Sequence, residues 1–151
     1  MKQDNWELLY QSELNFKKKI KVACIMGYYN GSKYIAEQLQ SIMNQEIKNA
    51  DITIYISDDN SHKDFPSIES LNLKNPKGVN IFYRKLKKNI GYAKNFLYTL
   101  NSIIPKFDFY CFSDQDDIWE INKLNKAISF QRKNHPIKSY LYFSRTTYFN
   151  D

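Results

Sequence analysis

The 151-residue chain has few of the residues that mark secreted, loop-rich or membrane-spanning proteins. It contains four glycines and four prolines, and no internal repeat or low-complexity linker divides it. Its two cysteines, Cys24 and Cys111, lie inside apolar runs, which favours small buried residues in a reducing compartment over a disulfide or a metal pair. No run approaches the roughly 20 apolar residues of a membrane span, and no signal-peptide core opens the chain. We therefore expect a cytoplasmic protein.

The residues that are abundant point to one folded domain with a basic surface. Hydrophobic residues make up 42% of the chain and aromatic residues 16%, which supports a real core and excludes a disordered composition. The formal net charge is +6, and basic residues cluster at positions 17–21 and 84–88. Such clusters suit nucleic acid, anionic lipid headgroups or a phosphorylated small molecule. Neither cluster carries interleaved aromatic residues, so we favour solvated loops and expect no nucleic-acid partner.

The most informative stretch runs from Tyr110 to Trp119, where an apolar, aromatic run ends in Asp114, Asp116 and Asp117. Three carboxylates this close repel one another unless a positive charge lies between them. A hard divalent cation such as Mg²⁺ or Mn²⁺, which prefers oxygen ligands, would supply that charge. The alternative is a solvated acidic turn that caps the following helix, because aspartate favours helix N-termini.

Apolar periodicity divides the chain into alternating strands and helices. Continuous apolar runs predict buried strands, and apolar residues at helical spacing predict amphipathic helices between them. Strand, helix and strand in succession imply right-handed parallel crossovers, so we predict an α/β domain over residues 20–151 with a mainly parallel, Rossmann-like sheet. The predicted strands cover residues 20–29, 51–57, 79–83, 107–113 and 140–143, and the predicted helices cover residues 34–43, 92–103 and 118–133.

Residues 1–19 read as a separate amphipathic helical extension with a lysine-rich end. Docking, peripheral attachment to a membrane and simple packing all suit such a helix. We favour packing because the apolar face is short. Peripheral association with the inner face of the plasma membrane stays open.

Three predicted strands end in polar residues that the fold would bring together. Besides the acidic stretch, the second strand ends in Asp58 and Asp59, and the first ends in Tyr28, Tyr29 and Asn30. In a doubly wound sheet the carboxyl ends of the strands face a common crevice. This constellation favours a ligand site over an isolated acidic turn.

The sequence resembles the family 2 glycosyltransferases, which have the GT-A nucleotide-diphospho-sugar transferase fold. Within that family the likeness is strongest to bacterial rhamnosyltransferase-like and polysaccharide-biosynthesis enzymes. The four motifs lie in the family's order and spacing over roughly residues 20 to 150, and they are specific together rather than singly. They are Tyr29-Asn30-Gly31-Ser32-Lys33-Tyr34-Ile35 followed by Glu37-Gln38-Leu39 and Ser41-Ile42, then Ile56-Ser57-Asp58-Asp59-Asn60-Ser61, Asn89-Ile90-Gly91-Tyr92-Ala93-Lys94-Asn95-Phe96 and Phe112-Ser113-Asp114-Gln115-Asp116-Asp117-Ile118-Trp119.

The resemblance implies a site for a UDP- or dTDP-sugar donor. The loop from Tyr28 to Asn30 would flank the base and ribose, the Asp58–Asp59 pair would hold the base edge and ribose, and the third motif would lie near the diphosphate or ribose. Asp114 and Asp116 match the D-x-D signature and would coordinate Mg²⁺ or Mn²⁺ on the pyrophosphate. The residues implied for the nucleotide are Tyr28, Tyr29, Asn30, Asp58, Asp59, Asn89, Gly91, Lys94 and Asp114. Asp117 would orient sugar hydroxyls or cap the next helix, and we favour the cap.

Two positions depart from the family pattern. Tyr28 stands where threonine is common and would crowd the base or stack against it. Asn60 stands where glycine is common, and asparagine tolerates the left-handed conformation that such a turn requires. We therefore expect the turn to form.

Family members usually continue into an acceptor-binding half that supplies the base of an inverting reaction. Nothing after Asp117 matches such a base: Glu120 suits the first turn of a helix, His135 precedes a proline, and Asp151 is terminal. We expect the chain to be truncated before the acceptor half, either as a fragment or as a naturally short protein.

The leading hypothesis is thus the donor-binding part of an inverting, metal-dependent glycosyltransferase of cell-envelope or capsule polysaccharide synthesis, with a saccharide or lipid-linked saccharide acceptor. The alternative is a non-catalytic nucleotide-sugar-binding module that lacks the acceptor half and the base. A basic nucleic-acid-binding domain is the third reading, and it would require salt-sensitive binding without a metal.

Overall fold

The computed structural model describes residues 19–63, 65–74, 79–134 and 140–147. Within these ranges the chain forms a four-stranded, fully parallel sheet, and three α-helices flank it. The predicted mainly parallel α/β sheet is confirmed. The elements in chain order are β1 (Ile20–Tyr28), α1 (Ile35–Met43), β2 (Ala50–Asp58), a short 3₁₀ helix (Glu69–Leu71), β3 (Val79–Lys85), α2 (Tyr92–Ile103), β4 (Phe109–Ser113) and α3 (Lys123–Asn134).

The strand order places β1 in the interior of the sheet. The order is β3-β2-β1-β4, with β1 paired to β2 on one side and to β4 on the other. The chain therefore builds outward to β3 and then crosses back to add β4, which puts the topological switch point between β1 and β4. In open α/β sheets, ligands bind in the crevice outside the strand ends at such a point.

The side chains of β1 alternate between two cores because successive strand residues point to opposite faces. Val22, Cys24 and Met26 face α1 and α3 in the larger core, whereas Ala23 and Ile25 face α2 in a smaller one. Both faces of β1 are thus covered, which explains its continuous apolar sequence. The two cysteines are free; Cys24 is buried as expected, whereas Cys111 is only partly buried.

The strand predicted over residues 140–143 is wrong. These residues have no regular structure, and Leu141 and Phe143 are largely exposed. Tyr140 and Tyr142 instead lie beside the Phe130 ring of α3, with ring centroids 6.1 and 5.6 Å from it. An apolar, aromatic segment becomes a strand only where a sheet edge accepts it, and this segment packs on a helix instead.

The third helix begins later than its apolar spacing predicts. The prediction starts it at Ile118, but α3 begins at Lys123. Trp119 is buried in the main core, while Ile118 and Ile121 are half-exposed, so the intervening residues follow an irregular path. The extension predicted for residues 1–19 lies outside the described residues except for Lys19, which pairs with Asp51 at 2.8 Å. Across the described ranges, none of the helices is long and apolar enough to cross a membrane.

Candidate functional site

A cavity of about 230 Å³ opens at the carboxyl ends of β1, β2 and β4, at the switch point of the sheet. It brings together seven of the ten residues predicted to bind nucleotide or metal, whereas Asn30, Asp58 and Lys94 do not line it. The lining residues are Gly27, Tyr28, Tyr29, Asp59, Asn89, Gly91, Tyr92, Asn95, Phe96, Asp114, Gln115 and Asp116.

The Tyr28 side chain belongs to the core. It is 1% exposed, and its ring meets the edge of Phe65 at a centroid distance of 5.0 Å. Burial raises the pKa of the Tyr28 hydroxyl, and the Asp58 carboxylate raises it further. The ring is therefore not presented to a ligand in this structure, although the residue passes along the cavity wall.

Asp58 is completely buried, and its carboxylate is occupied by protein donors. Oδ1 accepts a hydrogen bond from the Ser61 N–H at 2.7 Å, and Oδ2 accepts one from the Tyr83 hydroxyl at 2.9 Å. In the turn between Asp58 and Ser61, Asn60 adopts the left-handed conformation (φ 62°), so the expected turn forms. Asp58 thus ties the β2 end to its following turn and to β3, and it does so from outside the cavity.

Asp59 fixes the loop that follows β3. Its two carboxylate oxygens accept hydrogen bonds from the N–H groups of Ile90 and Gly91 at 2.7 and 2.8 Å. Gly91 has φ 86°, a conformation that L-residues rarely adopt. The Gly91 N–H also donates a hydrogen bond to Asn89 Oδ1. This buried carboxylate therefore shapes the cavity wall by holding the loop that carries Asn89 and Gly91.

The turns after β1 and β2 are joined by side chains. The Asn30 N–H donates to Ser61 Oγ at 2.9 Å, and the His62 N–H donates to Asn30 Oδ1 at 3.0 Å. The Tyr29 hydroxyl lies 3.2 Å from His62 Nε2. Asn30 is thus a connector between two turns rather than a cavity-lining group.

The first turn of α2 is held against β2 by Asn95. Its Nδ2 donates to the Ser57 carbonyl at 2.7 Å, and its Oδ1 accepts from Ser57 Oγ at 2.6 Å. Lys94, one residue earlier, is exposed to solvent. The Asn95 amide thus hydrogen-bonds to protein through both its nitrogen and its oxygen, whereas Lys94 is a solvent-exposed cation in the same turn.

Residues 114–122, which connect β4 to α3 and are called the acidic loop below, carry three aspartate carboxylates. No described residue donates a hydrogen bond to the side chains of Asp114, Asp116 or Asp117. Loss of hydration raises the pKa of Asp114, and the charges of Asp117 and Asp116 raise it further. The carboxylates thus repel one another at neutral pH, and a cation would relieve that repulsion.

These acids do not cap the next helix. That helix begins at Lys123, and the carboxamide of Gln45 receives the Leu124 N–H at 2.9 Å. The interpretation of the stretch as a helix-capping turn is therefore wrong, as is the cap favoured for Asp117. Tertiary contacts from α1 and its following turn, rather than local charge, set where α3 starts.

Polar side chains of α1 and its following turn anchor the loop that carries the acids. Gln38 Nε2 donates to Ser113 Oγ, and Ser41 Oγ accepts from the Trp119 N–H at 3.0 Å. Gln45 Nε2 donates to the Glu120 carbonyl at 2.7 Å. Gln38 and Ser41 belong to the first motif, but the sequence pattern assigns neither them nor Gln45 a role. Polar residues among the apolar positions of α1 were the available signal.

Gln115, which stands between two acids in the fourth motif, is likewise given no role by the sequence pattern. Its Oε1 accepts from the Tyr29 N–H at 2.8 Å, and its Nε2 lies 3.2 Å from the Tyr29 carbonyl and donates to it. A Cβ at Gly31 would come within 2.3 Å of the Gln115 carboxamide. The acidic loop and the turn after β1 are thus joined across the mouth of the switch point.

The donor set suits a cation that is shared with a ligand. Among the described residues, no group of three or more histidine, cysteine or acidic side chains is close enough to hold a metal by itself. Mg²⁺, however, is commonly bound by one or two carboxylates together with substrate phosphates. Asp114 and Asp116, both exposed on the cavity wall, fit that arrangement.

Comparison with protein families matches residues 23–148 to the family described as glycosyl transferase family 2. This match includes most of β1, the other three strands and the acidic loop. The chain belongs to glycosyl transferase family 2. The family resemblance that the four motifs indicate is confirmed.

Relatives of this family 2 chain include enzymes named for sugar transfer. It is 42% identical over 105 residues to the dTDP-rhamnosyl transferase RfbG of Shigella flexneri, covering 68% of this chain and 35% of RfbG. It is 29% identical over 116 residues to the poly(ribitol-phosphate) beta-N-acetylglucosaminyltransferase TarP of Staphylococcus aureus strain N315, covering 76% of this chain and 34% of TarP. The chain therefore spans about a third of the length of these curated relatives.

A solved structure extends the likeness to the fold. The crystal structure of residues 1–349 of S. aureus TarS in complex with UDP-GlcNAc superposes with a TM-score of 0.63 at 26% identity. The superposition covers 77% of this chain and 32% of that one. The predicted GT-A fold is thereby confirmed.

The raised pKa of Asp114 predicts how the stability of this family 2 chain depends on pH without metal. The carboxyl titrates near its ordinary value of 3.8 when unfolded and at a higher pH when folded, so the folded chain binds more protons between the two values. The free energy contributed by Asp114 therefore falls as pH rises through that window. We expect Asp114→Asn to remove this slope and to raise the free energy of unfolding at neutral pH. Urea unfolding in the presence of a chelator, from acidic to neutral pH, measures it; equal slopes for the two proteins would contradict the assignment.

Proposed function

We propose that this chain forms the donor-binding part of a metal-dependent, inverting glycosyltransferase of cell-envelope or capsule polysaccharide synthesis. The observation that carries the proposal is the placement of two open carboxylates, Asp114 and Asp116, on the same cavity as the Asp59-held loop. That cavity lies at the switch point of a family 2 sheet. The printed names of a dTDP-rhamnosyl transferase and of a TarS complex with UDP-GlcNAc support a nucleoside-diphospho-sugar as the ligand class.

Asp114 and Asp116 would hold Mg²⁺ or Mn²⁺ when the donor is bound. The cation would neutralise charge on the departing nucleoside diphosphate. The chain's own contribution is to keep the two carboxylates free of protein donors, so that they face the cavity as oxygen ligands. Asp117 belongs to the same loop but does not line the cavity. We therefore propose that it adds negative charge near the cation without coordinating it.

The nucleoside end of the donor would lie against the turn after β1 and the loop after β3. Tyr29 is 41% exposed and lines the cavity, so its ring offers an aromatic surface near the predicted base position, and the more exposed Tyr92 lines the same cavity. Asn89 and Gly91 line the opposite wall. Asp58, Asn30 and the Tyr28 ring support the cavity wall without facing the ligand, since the contacts described above bury or engage them. Asp59 lines the cavity, and its carboxylate holds the loop that carries Asn89 and Gly91. Lys94 stays a proposed diphosphate contact because it is an exposed cation on the first turn of α2.

Transfer also requires an acceptor and a base, for which we propose a saccharide or lipid-linked saccharide and a carboxylate beyond the residues that line this cavity. Glu120 is exposed and outside the lining, which gives it no support as the base. His135 and Asp151 lie outside the described residues. We propose cytoplasmic residence, where nucleotide-sugar donors and the reduced cysteines would coexist.

Calorimetric titration with UDP and dTDP, each with and without Mn²⁺, tests the proposal. We expect nucleotide binding that strengthens by at least about tenfold when Mn²⁺ is present, because the two carboxylates alone repel the diphosphate. Uridine and thymidine, which lack phosphates, are the matched ligands and should show no metal effect. Absence of binding by either nucleotide under all conditions would reject the proposal. Metal-dependent binding of a donor sugar without turnover would favour the alternative, a non-catalytic nucleotide-sugar-binding module.

A further inference from the structure

Gln115 joins the two walls of the cavity that the proposed function assigns to opposite ends of the donor. Its neighbours Asp114 and Asp116 belong to the metal end, whereas its hydrogen-bond partner Tyr29 belongs to the nucleoside end. We propose that Gln115 is a positioning residue that fixes the separation of these two ends, and that Gly31 is required to leave room for it. This inference rests on the proposed function.

The contact is a two-point one, and its geometry depends on a carboxamide. The Tyr29 N–H donates to Oε1 at 2.8 Å, and Nε2 donates to the carbonyl of the same residue at 3.2 Å. One hydrogen bond would let the loops pivot about it, but two parallel bonds fix the plane of the amide as well. Glutamate lacks the donor for the second bond, and asparagine is one methylene shorter. Neither substitution reproduces the contact.

Gly31 supplies the space that the carboxamide occupies. A Cβ at this position would stand 2.3 Å from both Cδ and Oε1 of Gln115 and 2.7 Å from Nε2. Gly31 does not have a positive φ, so its backbone conformation is open to alanine. The need for glycine here is therefore one of space. Because the obstructed atoms are the far end of a flexible side chain, alanine would displace Gln115 rather than unfold the chain.

The turn that Gln115 holds is itself joined to the turn after β2. Asn30 bonds both Ser61 Oγ and the His62 N–H, at 2.9 and 3.0 Å. Gln115 thus links the acidic loop to the turn after β1, and Asn30 links that turn to the turn after β2. Losing the Gln115 contact frees the acidic loop from the other two. A nucleotide that spans both ends would then gain less from the metal, even though its metal-free contacts are retained.

The test compares Gln115→Ala, Gly31→Ala and the double variant with wild type by calorimetric titration of UDP and dTDP with and without Mn²⁺. Removing a residue that orients metal ligands typically costs about tenfold or more in metal affinity, so each single variant should lose about tenfold of the Mn²⁺-dependent gain. The double variant should be no weaker than Gln115→Ala, because Gly31→Ala acts through Gln115. Gln40→Ala is the matched control.

Gln40 makes the same kind of contact away from the cavity. Its carboxamide receives the Lys74 N–H at 2.9 Å and donates to the Lys74 carbonyl at 3.1 Å. Gln40→Ala should therefore bind nucleotide and Mn²⁺ as wild type does. A loss in this variant equal to that in Gln115→Ala would overturn the positioning role.

Hydrogen exchange of the Tyr29 amide provides a readout that needs no nucleotide. We expect faster exchange in Gln115→Ala and in Gly31→Ala, and unchanged exchange in Gln40→Ala. Unchanged exchange in the first two, or an unchanged Mn²⁺ effect in chains that bind nucleotide, overturns this inference and leaves the proposed function standing. A wild-type chain that binds neither nucleotide overturns the proposed function and the positioning role with it.

Discussion

Asp116→Ala is expected to bind UDP or dTDP with the same affinity whether or not Mn²⁺ is present. The side chain is exposed on the cavity wall, and no described residue donates a hydrogen bond to it. Its removal therefore takes away a cation ligand without breaking a protein contact. For the same reason the free energy of unfolding should stay within about 1 kcal/mol of wild type, or rise as repulsion with Asp114 is relieved.

Calorimetry and urea unfolding together measure this result, and Asp117→Ala is its matched control. The Asp117→Ala substitution removes the same charge from the same loop. Asp117 also raises the pKa of Asp114, but it does not line the cavity. We expect this variant to keep most of the Mn²⁺ effect. A large loss of stability in Asp116→Ala would instead mean that the acid has a structural role. Equal losses of metal dependence in both variants would mean that the cation responds to the total negative charge of the loop and is not coordinated by Asp116 in particular.

Asp59→Ala should lower the free energy of unfolding more than alanine substitution of Asp116 or Asp117 does. The carboxylate is 4% exposed and accepts the N–H groups of Ile90 and Gly91. Each donor left without a partner costs about 1–3 kcal/mol, and part of that cost is recovered by water because Gly91 is exposed. We therefore expect a loss of about 2–4 kcal/mol in urea unfolding, together with a loss of nucleotide binding as the loop after β3 becomes free.

Asp51→Ala provides the comparison for that loss. Asp51 carries the same charge and pairs with Lys19 at 2.8 Å, but both side chains are solvent-exposed. Exposed ion pairs contribute about 0–1 kcal/mol, so this variant should stay close to wild type in stability and in binding. If Asp59→Ala were as stable as Asp51→Ala, the carboxylate would not be what holds the loop.

The parts of the fold that sequence predicts well are those whose pattern is set locally. The run from Val22 to Met26 is apolar because both faces of β1 are covered, and α2 has the predicted bounds, Tyr92–Ile103. The start of α3 was predicted five residues too early because Ile118 and Ile121 continue the helical spacing. The helix starts later because Trp119 enters the core and Gln45 accepts a hydrogen bond from the Leu124 N–H, and both are tertiary contacts. The segment at 140–143 was misjudged for the same reason.

Within the candidate site, sequence identifies the acids but not their different surroundings. Asp58 and Asp59 are adjacent and chemically identical, yet the first is tied to Ser61 and Tyr83 while the second faces the cavity and the Gly91 amide. Strand alternation separates neighbours in this way, but only burial and partners show which carboxylate has which task. Gln115 was invisible for a related reason, since its role depends on where a turn 86 residues away is placed.

The central position of β1 also has a consequence for the order in which the molecule assembles. β1 pairs with β2, the next strand along the chain, and with β4, which is separated from it by two further strands. Closing the longer loop costs more entropy, so the β1–β2 unit should form first and β4 should dock late. The acidic loop follows β4, and it meets the Tyr29 turn only in that last step. A nucleotide with its metal would then bind the completed chain alone and would act as a folding ligand for it.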